Sequence, residues 1–131
     1  MKKVLTTFIF LHAFFAFPQE ATIDSLQKLL DKSSTADQKI DLYLKLFAEG
    51  RSRDIDSAYV YLENARTIFN KRITDSIKQN FYWRYSEYFL IKNQYDSTLA
   101  YVDQGLEIKK VNPIKLIDLY SIKRDRLLLS W

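Results

Sequence analysis

An all-α fold of antiparallel helical hairpins is what this sequence predicts, on three observations. Only two glycines, Gly50 and Gly105, and two prolines, Pro18 and Pro113, occur in 131 residues. That leaves little material for the turns of a β-sandwich or barrel. A small–apolar–small pattern appears twice at helical spacing, as Ala58, Leu62 and Ala65 and again as Thr98, Val102 and Gly105. Small residues on one helical face let a helix lie close against its neighbours. Finally, nine Tyr and nine Phe supply large buried area and argue against disorder.

Six helices follow from periodicity and capping signals. The first is expected over about 22–32, with Ile23, Leu26, Leu29 and Leu30 on one face. Thr35 or Asp37 is suited to cap a second, about 36–50, whose stripe is Ile40, Tyr43, Leu44 and Phe47 and whose end is Gly50. A third is expected over about 55–71 after Asp54, and a fourth over about 74–92 with Ile77, Phe81, Tyr85, Tyr88 and Phe89. The fifth covers about 95–110, and Pro113 fits the first turn of a sixth, about 113–129. Connections this short favour antiparallel neighbours.

Residues 1–20 read as a secretory signal peptide, followed by one helical domain over 21–131. Lys2-Lys3, an apolar run from Val4 to Phe17 and the polar exit Pro18-Gln19-Glu20 have the order of such a signal. The run falls short of the ~20 apolar residues of a spanning helix. His12, the single histidine, lies inside it. A mature chain without His or Cys has no Ser–His or Cys–His pair and no ligands for most transition-metal sites. No cofactor or metal is expected. Without Lys2 and Lys3, the 20 basic side chains become 18 against 16 acidic ones, too balanced for a nucleic-acid surface.

The stretch from Gln79 to Asn112 resembles a tetratricopeptide repeat. Tyr82, Tyr85, Ser86 and Phe89 fall on that family's signature places of the first helix, Tyr95 on the turn tyrosine, and Thr98, Val102, Gly105 and Leu106 on the second helix. The preceding unit, about 36–72, matches through Ala58, Leu62 and Ala65. It departs at Phe47, where a small residue is usual, and at Gly50, where a tyrosine is usual. Phe47 is expected to fill space vacated at Gly50. From Ala58 to Thr98 is 40 residues, longer than the family's repeat of about 34. Residues 113–131 look like the first helix of a third unit, with Tyr120-Ser121 in the places of Tyr85-Ser86. Together with the signal peptide, the chain is similar to the exported repeat regions of Bacteroidetes regulatory proteins, whose repeats precede a membrane helix and a histidine kinase or DNA-binding domain.

The resemblance implies a protein-interaction module that presents a concave face built from first helices to a peptide or protein. The alternative it implies is a stand-alone or truncated periplasmic sensor domain. Partner-binding candidates are Asn80, Trp83 and Glu87, on the first-helix face that the family uses. Repeat packing falls to Ala58, Leu62, Ala65, Tyr85, Ser86, Phe89, Tyr95, Thr98, Val102 and Gly105. An Arg84–Tyr88 cation–π contact is expected from i,i+4 spacing. Asp54/Asp56 is the closest carboxylate pair. It stands at the mouth of a helix, as do Asp75 and Asp96, where capping accounts for it better than catalysis. No nucleophile–base pair occurs, so an enzyme is not expected. The last third is basic, through Lys109-Lys110, Lys115, Lys123, Arg124 and Arg126. An amphipathic final helix with no cap beyond it implies weak self-association through 113–131.

Overall fold

The computed structural model describes residues 22–108 and 113–129, which form six helices and no strand. They are α1 (22–32), α2 (Ala36–Gly50), α3 (Ile55–Ile68), α4 (Asp75–Ile91), α5 (Tyr95–Leu106) and α6 (Pro113–Leu129). The N-terminal apolar segment with His12, the Lys109-Lys110 pair and Trp131 lie outside the described residues. No helix among the described residues is long and apolar enough to cross a membrane.

Local chemistry sets most helix ends. The Thr35 hydroxyl accepts from the Gln38 backbone N–H at 3.2 Å and starts α2. Asp54 Oδ1 accepts from the backbone of Asp56 at 3.0 Å and of Ser57 at 3.3 Å and starts α3. At the end of α4, Asn93 takes the left-handed conformation with φ 57°. The Gln94 N–H then bonds Phe89 O at 2.9 Å and the Asn93 N–H bonds Leu90 O at 3.0 Å, the paired bonds of a Schellman cap.

Several expected boundaries and caps differ. α3 ends at Ile68, not near 71, because Phe69 leaves the helix with extended backbone and stacks on Phe81, centroids 4.2 Å apart. α5 ends at Leu106, short of 110. Asp75 and Asp96 sit in first turns, not at the cap positions, which Thr74 and Gln94 occupy without a side-chain capping bond. Tyr95, expected among the packing residues, stands at the first position of α5. It is 43% exposed, and its hydroxyl donates to Asn93 Oδ1 at 2.9 Å, within the turn.

α2 with α3 and α4 with α5 form the two hairpins, and α4 also contacts α2, α3 and α6. α2 and α4 run in the same direction. Their starts are joined by the Thr74 N–H donating to Asp37 Oδ2 at 3.3 Å, their ends by the Arg51–Glu87 ion pair at 2.6 Å. α3 runs against α4, with Asp56 at its start paired to Lys92 just past the end of α4.

The core is built from Ile40, Leu44 and Phe47 of α2, Ala58, Leu62 and Ala65 of α3, and Phe81, Tyr85 and Tyr88 of α4, with Ile73 from the connection. Burying a large apolar side chain of this kind contributes roughly 1.5–3 kcal/mol. Aromatic rings extend the core toward α5. Tyr101 stacks on Tyr85 at 4.8 Å and on Phe89 at 5.3 Å, while Tyr59 stacks on Tyr88 at 4.1 Å.

The small residues mark the closest approaches. A Cβ at Gly105 would stand 2.9 Å from Leu119 Cδ1 and 3.4 Å from Tyr82 Cβ, so α5 is wedged between α4 and α6 there. One at Gly50 would meet only Ala58, with its Cβ 3.4 Å away. Phe47, the large residue three positions earlier, is fully buried in the core.

Candidate functional site

One face of α4 carries Asn80, then Trp83 and Arg84, then Glu87, with steps of three or four residues between turns. Helices α2 and α6 both contact α4 and each sends a side chain to this face. Arg51, at the C-terminus of α2, pairs with Glu87 at 2.6 Å, and Arg84 pairs with the other Glu87 oxygen at 2.7 Å. Lys115, in the first turns of α6, places its Nζ 2.9 Å from the centroid of the Trp83 ring. The Arg84 guanidinium carbon lies 3.9 Å from the same ring. A tryptophan face holds cations through its quadrupole.

The expected Arg84–Tyr88 contact is therefore replaced. Arg84 turns toward Trp83 and Glu87, while Tyr88 packs inward on Tyr59. The physical reason is charge: a carboxylate at i+3 holds a guanidinium more strongly than an aromatic face at i+4.

Three cations, Arg51, Arg84 and Lys115, thus surround one carboxylate and one indole. The excess of positive charge has a consequence at Lys115. Partial burial, followed by the nearby Arg84, lowers its pKa from 10.5 to about 8. Asn80 Oδ1 and Arg84 Nε are buried on this face without a hydrogen-bond partner. The arrangement suits contact with polar or anionic groups. Among the described residues, no group of three or more His, Cys, Asp or Glu side chains is placed to hold a metal ion.

The residues expected at the partner surface and in the packing stand apart. Asn80, Trp83 and Glu87 share one α4 face and are partly buried, the Glu87 side chain 15% exposed. Ala58, Leu62, Ala65, Tyr85, Ser86, Thr98, Val102 and Gly105 are buried, and Phe89 is partly buried against the core. Sequence reasoning did not anticipate Arg51 and Lys115 at the site. Each lies more than thirty residues from its α4 contact, and only the packing of α2 and α6 against α4 brings them there.

Asp54 and Asp56 serve structure. Hydrogen bonds from the Ser57 hydroxyl and then from backbone N–H groups hold the Asp54 pKa below its ordinary 3.8, and Asp56 is bonded to Lys92 at 2.8 Å. Comparison with protein-family models, with curated proteins and with solved structures finds no match to this chain.

Proposed function

We propose that this chain is an exported, tetratricopeptide-repeat-like interaction module that offers the Trp83 face of α4 to a peptide or protein partner. The observation that carries this reading is the convergence on Trp83. Residues from three helices, α2, α4 and α6, meet around one half-buried indole. Such a mixed aromatic and cationic surface is the composition that recurs at binding hot spots, where Trp and Arg are enriched.

Affinity capture from the cell-envelope fraction tests it, comparing wild type with Trp83→Ala plus Lys115→Ala. Glu87→Lys is a poor probe, because it would set a third cation between Arg51 and Arg84 and weaken the fold itself. The double variant is expected to lose the captured partner while keeping a wild-type circular dichroism spectrum. The same partners captured by both proteins would rule the surface out. N-terminal sequencing of the envelope form, expected to begin within residues 17–22, tests export separately.

A further inference from the structure

We infer that the Trp83 face takes a glutamate side chain of an acidic peptide, with its carboxylate held by Arg84 and Lys115. This inference rests on the interaction reading above and names the group that the surface recognises. Arg84 and Glu87 are recessed, their side chains each 15% exposed, and the Lys115 ammonium lies over the Trp83 ring beside them.

The charges of this face do not cancel. Arg51, Arg84 and Lys115 are set against Glu87 and against Asp118, which follows Lys115 by one turn on α6. Three cations against two carboxylates leave one positive charge. Glu87 is already engaged, Oε1 by Arg51 at 2.6 Å and Oε2 by Arg84 at 2.7 Å. On α5, Asp103 is paired with Lys123, about two turns further along α6 than Lys115. A carboxylate from outside completes the balance, whereas a phosphate monoester brings close to two charges and overshoots it.

The hydrogen-bonding groups point to the same ligand. Arg84 gives Nη1 to Glu87, which leaves the Nε–Nη2 edge of its guanidinium, the edge that grips a carboxylate with two parallel bonds. Arg84 Nε on that edge is a buried donor without an acceptor, and one turn away Asn80 Oδ1 is a buried acceptor without a donor. Buried polar groups in native proteins find partners. A carboxylate on the Arg84 edge supplies the first, and a main-chain N–H of the same peptide supplies the second. Partial burial and then the Arg84 charge hold the Lys115 pKa at about 8, and an anion between the two cations relieves that repulsion.

Depth selects the kind of carboxylate. A guanidinium as recessed as that of Arg84 is reached by a group carried on a stem. Glutamate holds its carboxylate one methylene further from the main chain than aspartate does. A chain terminus carries it on the main chain itself, which would then have to enter between Trp83 and Glu87.

Random heptapeptides fused to a carrier at their C-termini offer side-chain carboxylates alone, and a second set anchored by its N-termini also offers terminal ones. Selection of both sets on the chain purified from the envelope fraction should enrich Glu above Asp at one position. Lys115→Gln should weaken the selected peptide about tenfold. Lys71→Gln, which removes the same charge from an exposed site elsewhere, should not. Wild type should bind about tenfold more weakly at pH 9 than at pH 7, because Lys115 with a pKa of about 8 must regain its proton to hold the anion. Lys115→Arg should bind equally at both. Equal weakening by Lys115→Gln and Lys71→Gln, or a wild-type affinity indifferent to pH, would overturn the inference. Enrichment without Glu, or only with a free C-terminus, would overturn it too and leave the interaction reading standing. Enrichment of no peptide in either set would count against both.

Discussion

The hydroxyl of Tyr85 on α4 lies 2.9 Å from the Leu62 carbonyl oxygen on α3 and 2.9 Å from Glu63 Oε1. Burial, then the Glu63 carboxylate, pushes the phenol well above its ordinary pKa of 10.0, so it stays a proton donor. Tyr85 is also fully buried and stacked on Tyr101. Tyr85→Phe should keep the ring packing and lose the hydrogen bond, at about 1–2 kcal/mol. Tyr85→Ala should cost about 3–5 kcal/mol. Urea denaturation of both variants measures the difference, and a Tyr85→Phe protein as stable as wild type would mean the hydroxyl contributes nothing.

The two glycines should respond in opposite directions to alanine. Gly50→Ala gains helix propensity and meets Ala58 at ordinary contact distance, so it should stabilise by about 0.5–1 kcal/mol. Gly105→Ala drives a methyl against buried Leu119 and should lose about 1–2 kcal/mol after the propensity gain. Adding Leu119→Ala to Gly105→Ala should cost less than Leu119→Ala alone, read by thermal melting.

Asp54 makes part of the stability acid-sensitive. Its folded pKa is depressed below 3.8 by the hydrogen bonds it accepts, so its contribution is present above that value and is lost as pH falls through the folded pKa. Asp54→Ala should melt lower than wild type at pH 7, and the gap should close in strong acid. Asp54→Asn, which caps without a charge, should hold its advantage over Asp54→Ala at both pH values.

Lys115 works in the other direction. Its pKa falls to about 8 in the folded chain from 10.5, so the folded state releases the proton first and stability rises with pH across that window. With solvent screening of a group this exposed, the gain is roughly 1 kcal/mol. Lys115→Met should remove the rise. Melting curves from pH 7 to 10.5 on both proteins measure it, and parallel curves would count against the cluster around Trp83.

Local chemistry made most of the fold legible in sequence. Thr35, Asp54 and Pro113 stand at or beside the starts of α2, α3 and α6, and Gly50 at the end of α2, each for a reason confined to one turn of chain. The end of α3 was not legible, because Phe69 is taken out of the helix by a ring twelve residues away. Arg84 was misjudged for a related reason. Spacing alone weighs i+3 and i+4 neighbours alike, whereas Glu87 already stood between two guanidiniums. The Trp83–Lys115 contact depends on how α6 lies against α4, which no local pattern encodes.

The position of α4 has a consequence for how the chain comes apart. Linear helical arrays commonly fray from their ends, each unit exchanging its amide hydrogens almost independently of units further along. Here one helix touches both helices of the preceding hairpin, its own partner and the helix that follows. Releasing α4 removes a wall from every one of those contacts at once. Amides near Tyr85 should therefore exchange only through global opening, and amides of α2, α3 and α5 should approach that same limit together.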